Sequence, residues 1–153
     1  MKQKKSKQLV LKNRKAYHNY EIIETYDAGI VLVGTEIKSI RMSNVSFTDS
    51  YCLFELNELF LKNLHIDQYK NSDQFSDQNP KRDRKLLLTK KELKKLNNNI
   101  KISGLTIIPL KIYFKNGFAK IQIGLVKGKR KWDKRTTLKE KDIKRDIDRE
   151  FKK

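Results

Sequence analysis

The 153-residue sequence predicts a mainly β domain with flanking helices, built as a small antiparallel barrel. Three observations carry this. Apolar and polar residues alternate on both sides of Asn116-Gly117, and that pair favours a tight hairpin because a type I′ turn needs positive φ at both central positions. Short runs rich in β-branched and aromatic residues recur along the rest of the chain. Only one internal stretch has a full helical period, too little helix for the crossovers of a parallel sheet. The closest architecture is OB-like, followed by a C-terminal tail that is disordered when free.

The elements follow in order. "YHNYEIIETYDAGIVLV", Tyr17 to Val33, reads as two strands around a turn at Asp27-Ala28-Gly29. "GTEIKSIR" sets Ile37 and Ile40 three apart and predicts a short helix. "SYCLFELNELFLKNLHI" holds two apolar runs flanking Asn57-Glu58, a hairpin. "QYKNSDQFSDQNPKRD" is polar and aperiodic, a loop. In "LLLTKKELKKLNNNIKISG", Thr89 and Glu92 have capping-box spacing, Leu93, Leu96 and Ile100 follow at i, i+3 and i+7, and Gly104 is the stop. Pro109 cannot donate to a sheet ladder, so it marks an edge or a bulge in the strand before Asn116-Gly117.

Formal net charge is +18, and such a field attracts polyanions, nucleic acid before an anionic membrane. The charge is concentrated at the ends. "MKQKKSKQ" and the final twenty-six residues together carry +10, against +8 on the 119 residues between them. Both ends also lack the apolar density that offsets ordering entropy. Three segments result: a flexible basic arm over 1–12, a nucleic-acid-binding barrel over 13–127 and a basic tail over 128–153. In the tail, Thr137 and Glu140 have capping-box spacing ahead of Ile143, Ile147 and Phe151 at i, i+4 and i+8. A stripe this narrow on roughly 14 residues folds only when a surface supplies the missing contacts. Six acidic residues on the tail argue against a membrane as that surface.

Catalysis finds little support. His18 and His65 have no zinc-type spacing around them, and Cys52, the one cysteine, reads as a small core residue. "GLVKGKR" has one residue too few between its glycines for a phosphate loop, and Arg130 stands where Ser or Thr would meet magnesium. Neither enzyme activity, metal nor cofactor is expected. No apolar signal region or membrane-length run is present, so the expected location is cytoplasmic. Nucleic-acid features are clearer. Asn13, Arg14 and Lys15 precede Tyr17 and Tyr20, and "NPKRDRK" sets Arg82, Arg84 and Lys85 ahead of the capped helix, arginine forks suited to phosphates beside rings suited to bases.

Whole phrases also match one family. "NRKAYHNYEI", "AGIVLVGTEIKSIR", "DSY", "PKRDRKLLLTKKEL", "LKIYFKNGFAKIQIGLVKGKRKWDKR" and "TLKEKD" together resemble the small protein B, or SsrA-binding protein, family, in order from about Asn13 to the end. The resemblance implies a barrel that binds the tRNA-like domain of tmRNA, supports its delivery with elongation factor Tu, and accompanies it into the vacant A site of a stalled ribosome. It places RNA contacts on Asn13, on Asp27 and on Leu87. The family usually has Glu at the position of Asp27, often His at that of Thr89 and often Gly at that of Ser43. It also implies that Lys127, Gly128, Lys129, Arg130, Lys131, Trp132, Asp133, Lys134 and Arg135, with Ile143 and Ile147, occupy the decoding centre and empty mRNA channel. The expected protein is a monomer. The alternative is a structural ribosomal protein held permanently on ribosomal RNA.

Overall fold

The computed structural model describes residues 8–69, 79–102, 104–129 and 131–151. The first seven residues of the expected basic arm lie outside that description. The arm is shorter than expected, because Val10–Lys12 form strand β1, paired antiparallel along Lys111 to Tyr113. Leu11 packs on the barrel core, and this apolar contact with the ladder outweighs the local abundance of lysine.

Helix α1 (Arg14–Asn19) and strand β2 (Tyr20–Ile30) replace the two strands expected between Tyr17 and Val33. Asn13 starts α1, its Oδ1 accepting from the Ala16 N–H at 3.3 Å. No turn occurs at Asp27-Ala28-Gly29. Gly29 is instead flanked in the sheet by Leu87 and Lys120, and a Cβ there would come within 3.3 Å of the Leu87 Cβ. Glycine here serves close strand approach, a role that local sequence does not distinguish from a turn.

Helix α2 (Gly34–Arg41) follows as expected, and Ser43 beyond it takes φ +61°, the left-handed conformation that glycine adopts most easily. Strand β3 (Val45–Ser46) pairs with β6 (His65–Ile66) in a separate two-stranded sheet. Between them, β4 (Tyr51–Glu55) and β5 (Glu58–Lys62) form the expected hairpin. Its turn is Leu56-Asn57, one residue earlier than read, with φ of 49° and 64°. After the polar loop come β7 (Arg84–Leu87) and α3 (Lys90–Ile100). The capping box is present: Thr89 Oγ1 accepts from the Glu92 N–H at 3.3 Å, and Glu92 Oε2 accepts from the Thr89 N–H at 3.1 Å. Leu96 on this helix is fully buried.

Strands β8 (Leu105–Lys115) and β9 (Phe118–Gly128) join through Asn116 and Gly117 at φ 51° and 80°, the turn that the dipeptide predicts. Register shifts between Pro109 and Lys111, so the proline does mark a bulge. The main sheet runs β1-β8-β4-β5-β7-β2-β9, and β9 pairs back to β8, closing a six-stranded antiparallel barrel with β1 on its rim. Ile107, Ile112, Ile121, Ile123, Leu59 and Leu61 fill the interior. A smaller cluster of Ala16, Ile108, Leu110 and Val126 seats α1 on the outside of the β8–β9 ribbon. Last comes α4 (Lys131–Phe151), one continuous helix that begins six residues before Thr137, so the expected cap lies inside it.

Glu36 on α2 locks the sheet to its flanking segments. Arg84 Nε donates to Glu36 Oε2 at 2.6 Å, while Arg82 and the Val33 N–H, the latter at 3.0 Å, both donate to Oε1. Arg84 also donates to the carbonyls of Leu64 at 2.6 Å and Pro80 at 2.9 Å. Burial pushes the Glu36 carboxyl up. Hydrogen bonds from Arg82 and Val33 and the Arg84 charge outweigh that effect and hold it below its usual 4.5.

Arg84→Ala leaves a buried carboxylate and two carbonyls short of donors and should cost about 3–5 kcal/mol in chemical denaturation, with Arg82→Ala costing less. Because the folded-state pKa of Glu36 is lowered, its contribution is complete above about pH 4.5 and declines as pH falls through the folded value. Acid titration of wild-type stability should therefore fall more steeply than that of Glu36→Gln. At Gly124, an added Cβ would sit 2.8 Å from Cδ1 of fully buried Leu110, so Gly124→Ala should lose about 1–3 kcal/mol.

Candidate nucleic-acid interface

Strand registers decide which side chains share the outer barrel wall. Leu87 lies opposite Gly29, Gly29 opposite Lys120, Lys120 opposite Tyr113, and Tyr113 opposite Val10. One step along, Asp27 lies opposite Gln122, Gln122 opposite Lys111, and Lys111 opposite Lys12. Alternation then puts Lys85, Leu87, Asp27, Lys120, Gln122, Lys111, Tyr113 and Lys12 on one continuous face. Two of the three residues implied by family resemblance, Asp27 and Leu87, come together there.

Leu87 is 52% exposed, an apolar side chain left in the open beside cations. Lys85 shares its face and is paired with Glu58 at 2.9 Å. Both partners are largely solvated, so the bond is weak and a phosphate can replace it. Tyr113 donates its hydroxyl to Asp27 Oδ1 at 2.8 Å, and Lys111 lies 5.6 Å from the Tyr113 ring centroid. Burial and the Asp27 hydrogen bond push the Tyr113 hydroxyl up to about 12, so it stays a donor at neutral pH.

Asn13 occupies a different position. It is buried, its Nδ2 donates to the Pro109 carbonyl at 2.8 Å and its backbone N–H to the Leu110 carbonyl at 2.8 Å. Both ends of its side chain are thus used in holding α1 against the β8 bulge. Arg14 and Lys15 are exposed on α1 at the mouth of an open groove of about 580 Å³, whose far wall is the segment Val45 to Ser50. Lys12 lines this groove too and links it to the outer face.

The arginine forks need correction. Arg84 is fully buried on Glu36, and Arg82 donates to the same carboxylate, so the pair braces the core instead of presenting two forks to phosphate. Charge pairing to Glu36 is the physical reason, and the sequence gives no sign of an acid lying 46 and 48 residues away. Thr89, in turn, is occupied as the cap of α3.

At the far end of β9, Lys127 and Gly128 are exposed. The Lys129 N–H donates to the Asn19 carbonyl at 2.9 Å and its Nζ to the Tyr17 carbonyl at 3.2 Å, which fixes the exit of the tail beside α1. Arg130 and the side chains of Lys131, Trp132, Asp133 and Lys134 lie outside the described residues. Further along α4, Arg135 and residues 139–149 are exposed on every face. Ile143 and Ile147, 59% and 46% exposed, form an apolar stripe with nothing upon it among the described residues. Among those residues there is also no metal-type cluster of His, Cys, Asp and Glu, and no helix long and apolar enough to cross a membrane.

Tyr113, Lys111, Lys120 and Gln122 had not been singled out from sequence. Their signal was present, since counting outward from Asn116-Gly117 pairs Lys115 with Phe118, Tyr113 with Lys120 and, just before the bulge, Lys111 with Gln122. Phe118, 71% exposed, lies on the same wall.

Known proteins share this arrangement. A family model described as SmpB protein matches residues 10–153. The SsrA-binding protein of Streptococcus mutans is 49% identical over 144 residues, covering 94% of this chain and 92% of that one. That of Sulfurihydrogenibium sp. is 50% identical over 147 residues, covering 96% of each. A solved chain described as "tmRNA-SmpB: a journey to the center of the bacterial ribosome" superposes with a TM-score of 0.68 at 50% identity, over 80% of this chain and 85% of that chain. Half identity over almost the full length of both partners, on the same fold, makes this chain a member of the SmpB protein family.

Proposed function

We propose that this chain is the tmRNA-binding protein of trans-translation, which takes the tRNA-like domain of tmRNA to stalled ribosomes. One observation carries the reading: near-complete coverage at about 50% identity by SsrA-binding proteins, with the same fold in a chain solved as tmRNA-SmpB. The role is non-catalytic and cytoplasmic. The protein acts as a monomer and meets elongation factor Tu through the tmRNA complex, as the family resemblance implies.

Three parts of the surface support a division of labour. The outer face around Asp27, Leu87 and Lys85, and the groove rim at Arg14 and Lys15, hold the RNA. Asn13 shapes that rim from below. The tail, from Lys127 through Arg135 to Ile143 and Ile147, enters the decoding centre and the empty mRNA channel, where its uncovered stripe finds a surface and its cations meet ribosomal RNA.

Gel-shift against the tRNA-like domain, with transfer RNA and ribosomal RNA fragments as competitors, tests the central claim. Selective binding to the tRNA-like domain is expected, and equal competition by ribosomal fragments would favour a structural ribosomal protein instead. If about four to six phosphates are neutralised, log K against log salt should have a slope of roughly −3 to −5. Asp27→Ala should weaken binding even though it removes a negative charge; tighter binding would reduce Asp27 to a phosphate-repelling surface acid. Ending the chain after Lys131 should leave stability and tmRNA affinity nearly unchanged but abolish peptide tagging on stalled ribosomes, and Ile147→Asp should give a partial version of that defect. Parallel loss of affinity and tagging would put the tail in the primary RNA site.

A further inference from the structure

Within this RNA-binding reading, on which the inference rests, we propose that Tyr113 is a positioning residue that fixes Asp27 as an acceptor for a hydrogen-bond donor of the RNA, a base N–H or a ribose 2′-hydroxyl.

The geometry begins with the strands. Asp27 is on β2 and Tyr113 on β8, with β9 between them, so the 2.8 Å hydrogen bond spans the central strand of the outer face. Only the hydroxyl makes that reach. An exposed aspartate on a strand otherwise samples several rotamers, and the hydrogen bond selects one. Oδ1 is thereby occupied, while Oδ2 has no hydrogen bond among the described residues and the side chain stays exposed.

The surroundings determine what Oδ2 can take. Lys111, Lys120 and Lys12 share the face and attract a phosphate backbone, yet an ionised carboxylate accepts hydrogen bonds and repels phosphate. A backbone drawn in by these lysines presents two kinds of donor to the carboxylate, base amino or imino groups and ribose hydroxyls. Tyr113 cannot release its own proton to compete, since its hydroxyl is held up to about 12. It therefore donates to Oδ1 throughout the physiological range and leaves Oδ2 to the RNA. The Tyr113 ring is half-buried, so Tyr113→Phe removes the hydroxyl while keeping the packing.

A double-mutant cycle tests this with the tRNA-like domain as probe. Tyr113→Phe should lower affinity about three- to tenfold, the scale of one net hydrogen bond. In an Asp27→Ala background the same change should have no effect, with melting temperature and salt slope unaltered in both backgrounds. Coupling of that kind separates positioning from a merely structural role, which would act equally in both. A probe with 2′-deoxyribose at its unpaired nucleotides identifies the donor: coupling that persists assigns a base edge, and coupling that vanishes assigns the ribose hydroxyl. Equal losses in the two backgrounds, or no loss in the wild-type background, overturn the proposal while wild-type binding keeps the function intact. Failure of the wild-type chain to bind the probe would instead overturn the functional reading itself.

Discussion

The buried carboxylate of Glu36 is the constraint around which the rest of the fold is arranged. It sits on α2, while Arg84 lies on β7 and Arg82 in the loop before it, so one acid joins the helix to the barrel wall. Arg84 carries the tie further, to the carbonyls of Leu64 just before β6 and of Pro80 in the loop ahead of β7. Taking an ion pair out of water costs several kcal/mol per charge, and only complete hydrogen bonding offsets that. Here the partners are nearly complete. The network anchors the described flanks of the β6–β7 connection, at Leu64 ahead of β6 and at Pro80 ahead of β7. It also takes Arg84 off the surface and ties Arg82 to the same acid.

That redistribution clarifies how a very basic protein can be selective. Surface lysines supply attraction that is sequence-independent and screened by salt. Selectivity needs groups that are unfavourable unless correctly met, and in the role proposed here Asp27 is such a group: among Lys12, Lys111 and Lys120 it would repel phosphate and reward only a well-placed donor. In the same proposed role the exposed, apolar Leu87 on this face would act likewise, since its contact requires a base or sugar face and not a charge. On that proposal the outer face combines long-range attraction with short-range discrimination.

Barrel and tail differ in what holds them. Each barrel strand is hydrogen-bonded on both sides or covered by a helix, and the interior is filled by isoleucine and leucine. Helix α4 is exposed at Arg135 and throughout residues 139–149, with Ile143 and Ile147 open to water. Along residues 139–149 no described side chain is packed, and a helical stretch of that kind draws little stability from tertiary contact. Lys129 fixes the starting point beside α1 through two carbonyls, and α4 sets out from that helix.

Local chemistry in the sequence determined a good deal. Asn116-Gly117 gave its hairpin because positive φ at two successive positions suits few other pairs, and Thr89 with Glu92 capped its helix because both hydrogen bonds form within one turn. Pro109 marked its bulge for want of an N–H. The family phrases located Asp27 and Leu87, and the basic, apolar-poor end identified the tail. Tertiary structure decided what depends on partners far along the chain. Gly29 became a point of close strand approach because Leu87 arrives from another strand, Val10–Lys12 became a strand because β8 offered an edge, and Arg84 left the surface because Glu36 waited on α2. The partnership of Tyr113 with Asp27 is of the same kind: the two residues are 86 apart in sequence, and only the β2-β9-β8 register brings a hydroxyl to a carboxylate. Short-range rules fix a residue's conformation from its neighbours, whereas a side chain's role as brace or as binder depends on which distant group neutralises it first.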